Sequence, residues 1–313
     1  MILPFSACSS SFRQVRKRLP GAVSGGVAHA ARGASAGLAS PPRRALLKGT
    51  MSVLALGGCA STLLSACGGE YSDGTGPQFA PSPVVNSVTN FRDVGGAAPG
   101  YSTSDGAHVR RALLYRSDAL TPNTVDAVTL ERMAFACVYD LRTPAENDMT
   151  PDTVLTSANR VSLNVLGTPG PRSFAGYTAG DLDAAMQAQW REFVTGRMQC
   201  IAYGALLEHI AEAPGPQLIV GSSAVDVAGW ASALLLLIAN VPLEIVVQDF
   251  LLTNAWRSTT IDADNLTPPV QASYLQAACD ALQRSYGDIN RYLESGLGLA
   301  SVTVDRLRAR LVV

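Results

Sequence analysis

The chain has 313 residues, of which 47% are hydrophobic and 16% charged, so it can bury a core and does not have the composition of a disordered protein. Its formal charge of -1 is unevenly spread, because residues 1–66 contain eight basic residues and no acid. The rest of the chain holds 16 basic residues against 25 acids, a formal charge of about -9. So acidic a domain is not typical of nucleic-acid binding, and we expect no nucleic-acid partner.

Residues 1–67 have the pattern of a bacterial export signal. Arg43 and Arg44 precede a weakly apolar stretch at residues 51–66, which is too short to span a bilayer, and this arrangement resembles a twin-arginine signal. The string LSAC that ends at Cys67 resembles a lipobox, in which the cysteine is acylated. We therefore predict lipidation of Cys67 and a lipid-anchored location on the periplasmic side of the cell envelope. The alternative is a buried helix in a cytosolic protein, where acid-free basic flanks are unexpected.

The rest of the chain divides into a linker and one folded region. Residues 68–83 are rich in Gly, Ser and Pro, a composition that predicts a flexible tether. Residues 84–313 are expected to form a single domain in which β-prone runs alternate with helical patterns. Such alternation favours an α/β fold with a mostly parallel central sheet flanked by helices. The β-prone runs cover residues 112–115, 134–141, 160–164 and 217–220.

Helices are predicted between these strands and throughout the C-terminal third of the domain. Thr121 and Pro122 have the residue types of a helix N-cap and first position. The remaining helices are predicted from amphipathic or apolar patterns. Together the predicted helices cover residues 121–133, 181–212, 231–239, 243–256, 270–286, 289–293 and 302–311.

The cysteines and histidines do not indicate a metal site or a disulfide framework. Cys137, Cys200 and Cys279 are an odd number of thiols with no C-x-x-C pair. Cys137 lies in an apolar run and the other two in helical patterns, where a thiol is usually a small buried group. The histidines form no pair with the short spacing of metal ligands. We predict no metal and no cofactor.

Five strings of the domain point to one family by their order and spacing. They are NFRDVGG at residues 90–96, VRRALLYRSDAL at 109–120, YDLRTPAE at 139–146, QDFLLTN at 248–254 and YLESGLGL at 292–299. As a set they resemble the bacterial tyrosine and dual-specificity phosphatase-like proteins. The resemblance implies a protein-tyrosine-phosphatase-like fold, in which a strand is followed by a loop of the pattern H-C-x-x-G-K-D-R-[ST]-G and then a helix.

The chemistry of that loop depends on a thiolate and an arginine. The backbone N–H groups and the dipole at the start of the helix lower the pKa of the cysteine and bind the phosphoryl oxygens. The guanidinium of the arginine binds two oxygens at once and stabilises the charge of the transition state.

In this sequence the corresponding loop lacks those groups. Gly221 stands at the position of the nucleophilic cysteine and Val227 at that of the arginine. The positions of the family's His, Gly, Lys and Ser/Thr hold Val220, Ala224, Val225 and Ala228. The degenerate loop thus reads Gly221, Ser222, Ser223, Ala224, Val225, Asp226, Val227, Ala228 and Gly229, with Asp226 as the one retained group that could do chemistry. A cysteinyl-phosphate intermediate is excluded at this position, and we assign no catalytic residue.

Two other residue types in the loop deserve a chemical interpretation. Ser223 would need a glycine at position 225 to form a nucleophile elbow, and a histidine later in the chain, but the last one is His209. We therefore interpret Ser222 and Ser223 as N-cap or turn residues. Asp226 is interpreted as a cap for backbone N–H groups or as the partner of an arginine, rather than as a proton donor.

Polar residues of the motifs are expected to surround the site. The resemblance gives as ligand-binding candidates Asn90, Arg92, Asp93, Arg116 and Arg142, and a purely structural hydrogen-bond network is an equal alternative for them. Arginines at positions 110, 111, 116 and 142 would attract an anion if they converged, although the acidic domain opposes this.

These observations favour an exported lipoprotein of the protein tyrosine phosphatase family that is catalytically inactive. Such a pseudophosphatase would bind an unidentified protein or an anionic ligand instead of hydrolysing a phosphoric monoester. Two alternatives stay open. One is a phosphoric monoester hydrolase with a non-cysteine mechanism, for example water activation by Asp226. The other is a purely structural envelope lipoprotein.

Overall fold

A parallel sheet with one antiparallel edge strand forms the centre of the domain. The computed structural model describes residues 83–170, 178–222, 227–258 and 269–313. Within these ranges the strands follow the order β1-β2-β5-β3-β4 across the sheet, and only β1 is antiparallel to its neighbour. The strands are β1 (Arg92–Asp93), β2 (Leu114–Ser117), β3 (Cys137–Asp140), β4 (Asn159–Ser162) and β5 (Gln217–Val220).

Helices connect the parallel strands and make up the C-terminal part of the domain. They are α1 (Thr124–Arg132), α2 (Pro144–Met149), α3 (Ala179–Thr195), α4 (Arg197–Glu212), α5 (Val227–Ile238), α6 (Leu243–Ser258), α7 (Ala272–Tyr286), α8 (Ile289–Arg291) and α9 (Ser301–Leu311), with a π-helical turn at Tyr292–Gly296 after α8. The α/β class and the helical C-terminal third agree with the sequence-based prediction. None of the helices within the described residues has the length and apolarity needed to cross a membrane.

The burial of the central strands fits their parallel arrangement, because the connecting helices cover both faces of a parallel sheet. All residues of β2, β3 and β5 are buried, which is typical of strands covered by helices on both faces. In the register of the central strands Val220 lies opposite Ser117 on one side and Asp140 on the other. The carboxyl ends of these three strands therefore form one edge of the sheet, which we call the carboxyl edge.

Helix α5 follows β5 and is the most buried helix next to this edge. Ten of its apolar and small side chains are packed in the interior, and its indole Trp230 lies edge-on to Trp190 of α3 at 6.2 Å between ring centroids. Trp190 also contacts Phe250 of α6 at 4.8 Å. These aromatic contacts fix α5 against α3 and α6, so the start of α5 is held rigidly behind the carboxyl edge.

Several predicted boundaries differ from the structure, and two of the differences have a clear local cause. Helix α1 is capped by Asn123, whose Oδ1 accepts the N–H of Asp126 at 2.9 Å, so the helix begins later than Thr121 predicts. Strand β2 begins two residues after the predicted start, because Ala112 has a positive φ of 56°. The side-chain cap of Asn123 and the left-handed backbone of Ala112 thus set these two boundaries, against the helix and strand propensities of the neighbouring residues.

The predicted helix at residues 181–212 is two helices that meet at Gly196. Gly196 has an extended backbone, with φ -75° and ψ 131°, and it both ends α3 and precedes α4. Its N–H donates to the carbonyl of Glu192 at 2.7 Å, and its own carbonyl accepts the N–H of Cys200 at 2.9 Å. A Cβ at this position would lie 2.7 Å from the carbonyl oxygen of Glu192, so only glycine fits this junction.

Candidate functional site

The candidate site lies at the carboxyl edge, where β5 ends and α5 begins. The N–H of Gly221 donates to the carbonyl of Ser117 at 3.1 Å, and the N–H of Leu141 donates to the carbonyl of Val220 at 2.9 Å. Gly221 is thus held between the ends of β2 and β3. Helix α5 begins six residues later at Val227, so a short connection joins a central strand to the N-terminus of a helix. Residues Ser223 to Asp226 of this connection lie outside the described residues.

None of the three thiols of the described domain is placed at the end of β5 for nucleophilic attack. Cys137 pairs with Gln217 in the sheet, three residues before the carboxyl end of β5, which corresponds to about 10 Å. The Sγ of Cys200 donates to the carbonyl of Val194 at 3.2 Å, and burial raises the pKa of this thiol. Burial also raises the pKa of Cys279 to about 11. A raised pKa keeps Cys200 and Cys279 protonated at neutral pH, and a protonated thiol is a poor nucleophile.

The first turn of α5 is apolar. Val227 and Ala228 are buried, and the carbonyl of Val227 accepts the hydroxyl hydrogen of Tyr203 at 3.0 Å. Neither these residues nor Gly221 and Ser222 carry a basic side chain. The described part of the connection therefore offers no side-chain cation to an anion.

Ser222 contacts helix α2 rather than α5 within the described residues. Its Oγ donates to Oε1 of Glu146 at 3.1 Å. The Oε2 of Glu146 accepts the N–H of Thr143 at 2.9 Å, and the Thr143 Oγ1 accepts the N–H of Glu146 at 3.2 Å. This capping box fixes the carboxylate beside the loop. Glu146 was part of a quoted motif, yet its role was not predicted, because the contact joins residues 76 positions apart.

Arg92 and Arg116 face one buried carboxylate, that of Asp249, and Asn90 contacts Arg92. Arg92 and Arg116 are paired across β1 and β2. Arg92 donates from Nη1 to Oδ1 of Asn90 and from Nη2 to the carbonyl of Asp249 at 3.0 Å, and its Nε lies 3.5 Å from the Asp249 Oδ1. The Nη1 of Arg116 lies 4.0 Å from the Asp249 Oδ2. The pairing of β1 and β2 places these two like charges opposite each other. The negative charge of Asp249 offsets the repulsion between them.

Tyr101 and Asp249 complete this group, and neither was predicted from the sequence. The hydroxyl of Tyr101 donates to Oδ1 of Asp249 at 3.0 Å. Burial and the nearby negative charge of Asp249 raise the pKa of Tyr101. Asp249 belongs to the quoted string at residues 248–254, but its position beside two arginines depends on how α6 packs against the sheet, which spacing alone does not reveal.

Asp93 organises the backbone after β1. Its Oδ1 accepts the N–H of Gly95 at 2.8 Å and its Oδ2 accepts the N–H of Ala112 at 2.7 Å. Burial raises the pKa of Asp93, while these two backbone hydrogen bonds act in the opposite direction. The carboxylate is used to join two segments of the chain, so the structure gives this ligand-binding candidate a structural role.

Arg142 is held by two carboxylates. Its Nε lies 2.9 Å from Oδ1 of Asp140, and its Nη2 lies 3.0 Å from the Asp140 Oδ2 and 2.7 Å from the Asp152 Oδ2. Its Nη1 donates to the carbonyl of Thr150 at 2.8 Å. Burial would lower the pKa of Arg142, but the hydrogen bonds and charge of Asp140 and Asp152 outweigh it and raise the pKa. Arg142 therefore stabilises the turn after β3, and its donors are directed at the protein rather than at a ligand.

The arginines of the motifs do not form a common anion site. Arg110 donates to the carbonyls of Arg310 and Val312 at the end of α9, at 3.0 and 3.2 Å. Arg111 donates to the carbonyl of Gly96 at 2.9 Å. Arg116 and Arg142 belong to the two separate carboxylate groups described above. The four arginines therefore do not converge on one place where they could attract an anion together.

A comparison of the sequence with models of protein families agrees with this strand–connection–helix arrangement. A model of the tyrosine phosphatase family matches residues 83–313. The chain belongs to the tyrosine phosphatase family. No curated protein matches the chain.

Membership of the tyrosine phosphatase family allows the positions of this site to be compared with the family's catalytic loop. The family resemblance equates Gly221 with the nucleophilic cysteine, and Gly221 lies where β5 ends, ahead of α5. The resemblance equates Val227 with the phosphate-binding arginine, and Val227 is the first residue of α5. The positions at 223–226, with the retained Asp226, and the predicted lipidation site Cys67 lie outside the described residues.

Proposed function

We propose that this member of the tyrosine phosphatase family is a pseudophosphatase, which binds a ligand or partner and does not hydrolyse phosphoric monoesters. The observation that carries the proposal is the position of Gly221 at the end of β5, hydrogen-bonded to Ser117 at 3.1 Å, where the family resemblance expects the nucleophile. Glycine has no nucleophilic side chain. Attack on phosphorus with a covalent intermediate has no starting group at this position.

The surroundings of Gly221 support the same proposal. The transition state of phosphoryl transfer needs positive charge at its equatorial oxygens. Val227 is 3% exposed and apolar, and Arg142 is engaged with Asp140 and Asp152. The described residues of the loop therefore supply no guanidinium in place of the family's arginine.

Binding does not require the lost side chains. The first N–H groups of a helix have no partner within the helix, and they attract anions together with the helix dipole. Helix α5 has 12 residues and begins at Val227, six residues after Gly221. We propose an unidentified protein or an anionic ligand as the binding partner at this edge, with an affinity for phosphate itself that is weakened by the missing lysine and arginine.

Phosphate release by the purified protein tests the inactivity. The assay uses an aryl phosphate and a phosphotyrosine peptide, with an active member of the family as the positive control. We expect no release of inorganic phosphate above buffer. Turnover that survives replacement of Cys137, Cys200 and Cys279 by alanine would contradict the proposal and favour a hydrolase with another nucleophile. Loss of that turnover in Asp226→Asn would then identify the group.

We also propose that the protein is an exported lipoprotein on the periplasmic side of the envelope. The support is the twin-arginine-like segment and the LSAC string at Cys67, in the first 67 residues of the sequence. The experiment compares Cys67→Ser with Cys59→Ser, which alters a second cysteine of the same segment. We expect Cys67→Ser alone to lose incorporation of labelled fatty acid and to leave the membrane fraction. Equal labelling of both variants would contradict the anchor.

A further inference from the structure

Four valines near the point where the chain enters the domain are exposed to solvent. The exposed fraction is 68% for Val84, 74% for Val125, 47% for Val128 and 73% for Val154. We call these four residues the α1 surface. Single exposed apolar residues are common on proteins, but a group of them on one side of a domain marks an interaction site.

Helix α1 brings two of the valines together. Val125 and Val128 are three positions apart, so they lie one above the other on the outer side of the helix. Asp126 and Leu130 of the same helix are buried against the domain. Arg132 follows Val125 by seven residues and lies on the same outer side, where it is also exposed.

The N-terminal segment of the domain places Val84 next to the start of α1. The N–H of Ser87 donates to Oδ2 of Asp126 at 2.8 Å, and the Ser87 Oγ accepts the N–H of Asn123 at 2.9 Å. Val85 is buried, which fixes the segment further. Val84 comes three residues before Ser87 and is therefore within about 10 Å of it.

The segment before β4 places Val154 alongside α1. The N–H of Thr153 donates to the carbonyl of Leu120 at 2.7 Å, just ahead of α1. The N–H of Thr156 donates to Oε1 of Glu131 at 2.7 Å, in the last turn of α1. Val154 lies between these two attachments, so it is held beside the helix.

We propose that the α1 surface docks onto the lipid bilayer to which the protein is anchored. The inference rests on the proposed lipid anchor at Cys67. Only sixteen residues, 68–83, separate that anchor from Val84 along the sequence. The α1 surface is thereby the part of the described domain that is attached closest to the membrane.

The composition of the α1 surface suits the interface of a bilayer. The valines would lie at the boundary between headgroups and acyl chains, and the guanidinium of Arg132 would lie at the phosphate groups of the lipid headgroups. A small apolar surface binds weakly on its own, but attachment through the tether raises its effective concentration at the membrane. A second copy of the chain and a membrane protein are the other possible occupants, and the experiment separates them.

The experiment uses the full lipidated chain in vesicles of phosphatidylethanolamine and phosphatidylglycerol, with brominated acyl chains as quenchers. A fluorophore is attached at Val128→Cys, and a matched control is labelled at Val302→Cys on α9, where the native valine is 60% exposed. We expect quenching at position 128 to be at least three times that at position 302. The added change Val125→Asp should reduce quenching at position 128 to the level of the control.

Each other outcome overturns the proposal in a recognisable way. Equal quenching of both labels in vesicle-bound protein contradicts docking and leaves the lipid anchor intact. Failure of the chain to float with vesicles contradicts the anchor, and docking with it. Quenching at position 128 that disappears when protein per vesicle is diluted tenfold identifies contact with a second copy instead. Retained quenching in the Val125→Asp variant shows that the α1 surface is not the contact.

Discussion

Asp249 illustrates how single residues of the motifs work in this domain. Its carboxylate faces Arg92 at 3.5 Å and Arg116 at 4.0 Å, and all three side chains are buried. Because two facing guanidinium groups repel each other in a medium of low polarity, the carboxylate between them is needed for folding. The motif residues Asn90, Arg92 and Arg116 thus belong to a buried polar network, as one of the two interpretations of these candidates expects.

Replacement of Asp249 tests this role. Asp249→Asn keeps the shape of the side chain and removes the charge, so we expect a loss of about 3 kcal/mol or more in the free energy of unfolding. Urea denaturation measures the loss, and Asp305→Asn on the exposed side of α9 is the matched control. Equal urea midpoints for the two variants would show that the arginines do not depend on Asp249.

Asp140 makes stability depend on pH. Burial raises its pKa, but the hydrogen bonds and charge of Arg142 outweigh burial and hold the pKa below its ordinary value of about 4. The folded state therefore favours the ionised form, and this contribution is present above the ordinary pKa and is lost as the pH falls through the lower value in the folded state. We expect Asp140→Asn to be most destabilising at pH 7 and least near pH 2. A deficit that is constant from pH 7 to pH 2, measured by urea denaturation, would contradict the charge pairing.

At the scale of elements, some helices pack so closely that a backbone atom of one segment lies against a glycine of another. Gly204 in α4 is an example, because a Cβ there would lie 2.5 Å from the carbonyl oxygen of Leu297. The segment after the π-helical turn thus approaches the backbone of α4 directly. Since the obstacle is backbone, rotation of a side chain cannot relieve it.

Gly204→Ala tests this contact, and Gly180→Ala in α3 is its matched control because nothing lies within 4 Å of the added methyl group. We expect Gly204→Ala to lower the free energy of unfolding by about 1–3 kcal/mol. Gly180→Ala should be neutral or stabilising, since alanine favours the helix by up to about 1 kcal/mol. Thermal unfolding measures both. Equal unfolding temperatures would mean that α4 and Leu297 are not packed this closely.

The sequence predicts the elements better than the contacts between them. Alternating β-prone and helical patterns gave the parallel sheet, and the loop position at the end of β5 followed from the family resemblance. The break at Gly196 was missed, because both flanking segments have helical patterns and a single glycine is tolerated in helices. The role of Asp249 was missed, because the distance from Arg92 is 157 residues along the chain and only tertiary packing brings them together.

At the scale of the molecule, the domain keeps the frame of the tyrosine phosphatase family while its loop lacks the family's reactive groups. The described part of the loop carries no cysteine and no basic side chain, while Asp249 and Arg142 are paired with other charged groups of the protein. A fold does not by itself imply an activity, so the frame can persist with or without catalysis.

The most direct test compares the natural protein with a variant in which the family's groups are restored. Gly221→Cys, Val225→Lys and Val227→Arg together return the nucleophile and the cations to the loop. We predict no phosphate release from an aryl phosphate by the natural protein and vanadate-sensitive release by the variant, because Gly221 directly follows β5 and Val227 is the first residue of α5. Phosphate release by the natural protein at a rate equal to that of the variant would contradict the proposal that the degenerate loop has abolished catalysis.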